Sequence, residues 1–306
     1  MTKGPLKNVS ASVRARLLAH SKARQEDFQL SLARYAGERL LYRLSQTPHA
    51  AHFVLKGATL FTLWRGNPHR ATRDLDLLGF GAPTPEAFRS VLMDVLRVPV
   101  EDDGLAFDVT SLRVGLIREE QAYGGVRATL TALLEAAKIR LQIDVGFGDA
   151  VTPGAELAEL PTLLDMPAPI LRVYPREAVV AEKLDAMCQL GLANSRMKDF
   201  YDLVVLSRMF DFDGALLLRA VRATFANRET ELPKSLPVAL TPTFYDDPSK
   251  RRQWQAFLKK ADGEQIGDLP AIAALIREFV EPVLRAAAAD NRLGTWTANK
   301  GWSRAE

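Results

Sequence analysis

A single cysteine, Cys188, stands among 306 residues. No disulfide can close within the chain, so a reducing compartment is expected. Cys188 lies in an apolar helical pattern with Val179, Val180, Leu184 and Met187, and no histidine is near it in sequence. That is the setting of a buried thiol rather than a nucleophile. Histidine is scarce as well: His20, His49, His52 and His69 form no H-x-x-x-H spacing, which sets zinc chemistry aside. No apolar run reaches the roughly 18–20 residues of a membrane span, and Lys3 and Lys7 are followed by no apolar leader core. A cytoplasmic protein is expected. Charge of one sign is also lacking. Lys and Arg number 40 against 37 Asp and Glu, a net charge of +3 that permits a polyanionic partner without demanding one. With 47% hydrophobic and 25% charged residues, the balance is that of a globular protein of one large domain or two modest ones.

What is present has a clear order. Residues 10–46 read as helix, with Leu17, Leu18, Phe28, Leu32, Tyr35, Leu40 and Leu44 recurring at three- and four-residue spacing. The arginines between them read either as a solvated face or as one turned to RNA. Phe53-Val54-Leu55 reads as a buried strand turning through Lys56-Gly57-Ala58 into a helix that starts at Thr59. Free backbone N–H groups at such a turn suit a phosphate. Gly66-Asn67-Pro68 reads as the turn that follows. Arg73-Asp74-Leu75-Asp76-Leu77 then reads as a second strand, with both aspartates on one face and both leucines on the other. Thr84-Pro85-Glu86 opens a helix. Phe107 to Ile117 reads as an edge strand, and residues 126–134 and 138–147 read as a hairpin. Asp144 lies on the polar face of its second strand. The proline-rich stretch 150–169 reads as a connection, and the pattern is helical from Tyr174 nearly to the end.

Two acids on one strand face, a third on a later strand and a glycine turn before them make up more than an isolated D-x-D. Clustered carboxylates repel one another unless a cation neutralises them. Oxygen-only ligands select a hard divalent ion held together with phosphates. The chemistry this suits is phosphoryl or nucleotidyl transfer. Each residue also has a plainer reading. Asp144 could tune the site without binding metal, Lys183 could be an exposed helix charge, and Lys198 with Asp202 could be a simple i,i+4 pair. Arg70 and Arg73 could be phosphate ligands or charge partners of aspartates.

Five segments carry a family resemblance: Lys56-Gly57-Ala58; Arg70-x-Thr72-x-Asp74-x-Asp76; Gln142-Ile143-Asp144-Val145-Gly146; Ala181-Glu182-Lys183-Leu184; and Arg196-x-Lys198-Asp199-x-Tyr201-Asp202. In this order the chain resembles the AbiEii/AbiGii/MenT group of nucleotidyltransferase toxins. It departs at Gly57-Ala58, where the wider superfamily has Gly-Ser and the toxins Gly-Gly, which leaves only backbone groups at that turn. The resemblance implies an α+β fold: a polymerase β-like nucleotidyltransferase domain with a mixed β-sheet, plus a C-terminal α-helical lobe. We expect these two lobes at residues 1–165, with the N-terminal helices, and 166–306. The resemblance further implies a toxin of a bacterial toxin–antitoxin system that adds NMP from an NTP, of pyrimidine type, to the 3′ end of tRNA and so blocks aminoacylation. Asp74, Asp76, Lys183 and Asp199 would be catalytic. Lys56, Gly57, Ala58, Arg70, Arg196 and Lys198 would bind the nucleotide. Asp74, Asp76 and Asp144 would hold Mg²⁺, or Mn²⁺ in its place. The implied partners are the NTP, the tRNA acceptor end and a cognate antitoxin, with no membrane. Nucleotidylation of a protein, or a catalytically silent RNA- or partner-binding module on the same fold, are the alternatives.

Overall fold

A computed structural model describes residues 8–66, 68, 70–117, 124–261 and 266–304; Lys3, Lys7, Asn67 and His69, named above, lie outside them. Helices α1 (Val9–Ala23) and α2 (Phe28–Ser45) occupy the span expected as one helix. The helix breaks because Gln25 takes a left-handed φ of 54° and Asp27 caps a fresh start, its carboxylate accepting from the Gln29 N–H at 2.8 Å. Next come β1 (Phe53–Lys56), α3 (Thr59–Arg65), β2 (Asp74–Gly79) and α4 (Pro85–Arg97). Thr84 caps α4 by accepting from the Ala87 N–H, and Pro85 occupies the first helical position, as its sequence signature implies. Strands β3 (Leu105–Ile117), β4 (Gly125–Leu134) and β5 (Ala137–Phe147) follow, then β6 (Glu156–Glu159) and β7 (Ile170–Val173). The stretch expected as a plain connection therefore holds β6 and leads into β7, both too short to show alternation above the prolines around them.

The remaining elements are α5 (Arg176–Leu190), α6 (Met197–Met209), β8 (Phe212–Asp213), α7 (Gly214–Asn227), α8 (Pro242–Tyr245), α9 (Pro248–Ala261), α10 (Leu269–Ala289), β9 (Thr295–Thr297) and β10 (Gly301–Trp302). The chain forms two compact units. One comprises residues 1–68, 72–148 and 156–173; the other comprises 69–71, 149–155 and 174–306.

The first unit is built on a seven-stranded mixed sheet of order β3-β4-β5-β2-β1-β7-β6, in which β2 runs parallel to β5 and β1 parallel to β7. Strand alternation sorts its faces. Leu75, Leu77 and Ile143 turn to one side, where Leu40, Leu41 and Leu44 of α2 and Phe88, Leu92 and Val95 of α4 cover them. Burying such side chains contributes about 1.5–3 kcal/mol each. Helix α2 is fastened to the segment ahead of β3 by a buried two-point pair, Arg43 with Asp103 at 2.6 and 3.1 Å, and by the Tyr35 hydroxyl donating to the Asp103 carbonyl at 2.8 Å. The opposite sheet face carries the polar residues of β2, β4 and β5.

In the second unit α5 packs on α7, and α6 on α10 and α9. Phe200 of α6 stacks on Phe244 of α8 with centroids 5.4 Å apart. Strands β8, β9 and β10 form a small antiparallel sheet. Its tryptophans pin the chain's last described turn: the Trp296 indole N–H donates to the Ser207 carbonyl at 2.8 Å, and that of Trp302 to Phe279 at 2.9 Å.

Candidate active site

Cross-strand register on the polar sheet face sets four charges in a row. Lys56 of β1 stands opposite Asp76 of β2, Asp76 beside Asp144 of β5, and Asp144 opposite Arg127 of β4. Asp74, two residues before Asp76, shares that face beside Gln142. The order is cation, acid, acid, cation, and the outer pair decides what Asp144 does. Arg127 grips it at two points, 2.8 and 2.7 Å, and the Gln142 amide adds a third contact at 3.2 Å. Asp144 therefore shares the face with the acid pair while its oxygens serve a guanidinium.

The glycine turn lies against the acid pair. Gly57 has φ of +78°, and a Cβ placed on it would come within 2.1 Å of an Asp76 carboxylate oxygen. Both backbone angle and space demand glycine here. Ala58, at the cap position of α3, makes no side-chain cap, so only main-chain groups are offered there.

A second constellation lies wholly within the second unit. The Lys183 ammonium of α5 donates to Asp199 and to Asp202 of α6, both at 2.8 Å. Arg70 pairs with Asp202 at two points, 2.9 and 3.2 Å, and Arg196 with Asp199 at 2.6 Å. Both aspartates are 1% exposed. Burial alone would push the Lys183 amine down, but the two carboxylates outweigh it and hold the amine above its ordinary value. Burial would likewise raise Asp199, yet Lys183 and Arg196 hold it below the usual carboxylate range. Lys183 and Asp199 therefore both keep their charges in the neutral range. Lys198, one residue before Asp199, is exposed. Asp202 is taken by Lys183 and Arg70, which overturns the plain Lys198–Asp202 pairing. Arg70 is placed as the partner of Asp202, and Arg73 lies 4.0 Å from Asp27.

Sequence reasoning missed a neighbouring knot. Arg228, just past α7, pairs with Asp149 at 2.7 Å, Asp185 at 3.0 Å and Glu182 at 3.5 Å. It ties α5 at both sides of Lys183. No local signal could reveal it, because its partners lie between 43 and 79 residues away. Cys188 is half-buried rather than fully buried as expected, and desolvation still pushes its thiol up to about 12, unsuited to nucleophilic work.

These acids, the glycine turn and the lysine–aspartate cluster lie within the span that one family model matches. The family model described as nucleotidyl transferase AbiEii toxin, type IV TA system, matches residues 39–278. The chain belongs to the AbiEii family. Two solved structures from Helicobacter pylori are similar to this AbiEii protein. JHP933 is 16% identical, with 90% of this chain and 92% of that chain covered and a TM-score of 0.46. A candidate nucleotidyltransferase is also 16% identical, with 89% and 95% covered and a TM-score of 0.44. No curated protein matches the sequence. No helix among the described residues is long and apolar enough to cross a membrane.

The donor set of this AbiEii member fits a hard divalent ion. Asp74 and Asp76 supply oxygen only, on one strand face, with the Gly57 backbone packed against the second carboxylate. Among the described residues no group of three or more His, Cys, Asp or Glu side chains is placed to hold a metal. An ion here would take two carboxylates from the protein and complete its shell with phosphate oxygens and water, the usual habit of Mg²⁺.

Proposed function

We propose that this AbiEii-family toxin transfers NMP from an NTP, with a preference for pyrimidines, onto the 3′-hydroxyl of tRNA. Pyrophosphate is released, and the modified tRNA can no longer be aminoacylated, which halts translation until a cognate antitoxin counters it. The observation that carries the reading is the pair Asp74 and Asp76 on one strand face, with the Gly57 turn pressed against Asp76. Asp74 and Asp76 would hold Mg²⁺, or Mn²⁺ in its place. That ion supplies charge stabilisation to the phosphates and lowers the cost of the attacking oxygen's negative charge.

The protein's own groups then have defined work. Gly57 and Ala58 offer main-chain N–H groups, and Lys56 a cation, to the triphosphate. Asp144, gripped by Arg127, holds that cation beside the acid pair and keeps the sheet face ordered. The family resemblance supports Lys183 and Asp199, both in the second unit, as essential residues. Arg196, whose side chain is 40% exposed beyond its contact with Asp199, the exposed Lys198 and Arg70 would be the nucleotide-binding cations of this unit. Catalysis of this kind is mostly positioning and electrostatics.

Purified protein incubated with labelled CTP or UTP, Mg²⁺ and total tRNA tests the proposal. Label should enter RNA with the native protein and fail to enter it with Asp76→Ala. No label from any of the four NTPs, or equal label with Asp76→Ala, contradicts it. Label entering protein would assign a side-chain acceptor instead.

A further inference from the structure

Helix α9 carries Lys250, Arg251, Arg252, Lys259 and Lys260 and no acid in its 14 residues. No other helix among the described residues holds as many cations. The whole chain has a net charge of +3, so everything outside α9 is net acidic. Five positive charges thus lie on one element; Lys250 is taken by the Asn194 carbonyl and Arg251 by Asp246, which leaves Arg252, Lys259 and Lys260 on the exposed face. We propose that the outer face of α9 is the docking surface for the sugar–phosphate backbone of the RNA acceptor. The inference rests on the RNA-acceptor reading above and assigns that acceptor its place.

The helix is sorted into two faces. Trp254 and Ala261 are buried, and Lys250 is buried too, donating to the Asn194 carbonyl at 2.9 Å. Arg252, Gln253, Gln255, Lys259 and Lys260 are exposed. Arg252 to Lys260 spans about 12 Å along the axis, room for two or three backbone phosphates. Lys259 and Lys260 suit the helix C-terminus on dipole grounds alone, but Arg252, in the first half, does not. Amide side chains between the cations add donors that phosphate and ribose accept. A bilayer is the poorer partner, because the apolar face of α9 is already consumed by packing and leaves nothing to insert.

The face is also held on the element that carries the buried cluster. Trp254 stacks on Phe257, and Phe257 meets the Tyr201 ring edge-on, both with centroids 5.6 Å apart. Tyr201 sits between Asp199 and Asp202 on α6. The last α9 residue, Ala261, accepts from the Ala71 N–H at 2.8 Å, next to Arg70.

The test measures binding of a fluorescently labelled tRNA transcript ending in CCA, without NTP, over a series of salt concentrations. The combined variant Arg252→Gln, Lys259→Gln, Lys260→Gln should bind at least about tenfold more weakly at low salt. Its log-affinity against log-salt slope should be shallower by about two, since each backbone contact contributes roughly 0.7–0.9. Equal charge removal from α1 (Arg14→Gln, Arg16→Gln, Lys22→Gln) should leave the slope unchanged. Mg²⁺-NTP binding by the α9 variant should be native. An unchanged slope, or an equal change from the α1 variant, overturns the proposal. If transfer to RNA itself fails while the slope change holds, the catalytic reading falls and the docking surface stands. If transfer proceeds with an unchanged KM for tRNA in the α9 variant, the docking surface alone falls.

Discussion

At the scale of single residues, the acids divide by burial. Asp74 and Asp76 lie on a solvent-reaching strand face, while Asp199 and Asp202 are buried between cations. Asp76→Asn keeps size and polarity but removes a charge the metal needs. Transfer should fall by roughly a hundredfold or more, since a lost metal ligand forfeits several kcal/mol of charge stabilisation. The urea midpoint should stay within error of native, and an Asp76→Asn protein with native initial rates would contradict the metal role. Asp199 behaves otherwise. Its carboxyl is held below the ordinary 3.8, so its stabilisation is present above that value and is lost as pH falls through the lower folded value. Lys183 is held above 10.5, so its contribution is present below that value and fades only as pH rises past the higher one. Urea midpoints measured from pH 2 to 6 should therefore show an acid-side step in native protein that Asp199→Asn lacks. The D-x-D pair was legible because strand alternation is local. The Arg70–Asp202 and Arg228–Asp149 contacts were not, because they join residues 132 and 79 positions apart.

At the scale of elements, turns carry the most testable statements. Gly57→Ala must strain a left-handed residue and drive a methyl into Asp76. Backbone strain of this kind costs about 1–3 kcal/mol, and the displaced carboxylate should lower transfer more than stability. Comparing initial rates with urea midpoints checks this; equal activity would mean that the turn plays no part in the chemistry. Helix α2, on the sheet face opposite the acid pair, supplies a second pH handle. Burial pushes the Glu38 carboxyl up to about 7, even though Arg39 and the Leu163 N–H, at 2.7 Å, oppose the shift. Its folded value lies above its unfolded 4.5, so it binds more protons folded than unfolded, and stability from this group declines as pH rises from 4.5 to about 7. Glu38→Gln keeps an acceptor for Leu163 and should flatten that decline; parallel pH slopes in the two proteins would contradict it. Strands β2, β4 and β5 were readable from alternation, and α4 from its Thr-Pro-Glu start. The four-residue β6 and β7 were not, since four residues beside prolines give no period to detect. The break between α1 and α2 hinged on Gln25 and Asp27, where a capping acid interrupts an otherwise continuous apolar pattern.

At the scale of the molecule, membership of the AbiEii family joins features that composition alone left open. A net charge of +3 gave no partner; the five cations of α9 are where we propose that one docks. Family membership brings an NTP as substrate and an antitoxin as partner. The acceptor is a property of this protein's own surface. The most direct measurement is sequencing of tRNA 3′ ends from cells expressing the native protein and from cells expressing Asp76→Ala. Extra nucleotides, chiefly pyrimidines, beyond the mature 3′ end in the first and absent in the second is the predicted result. Unextended 3′ ends in both, with growth arrested only by the native protein, would contradict transfer to tRNA.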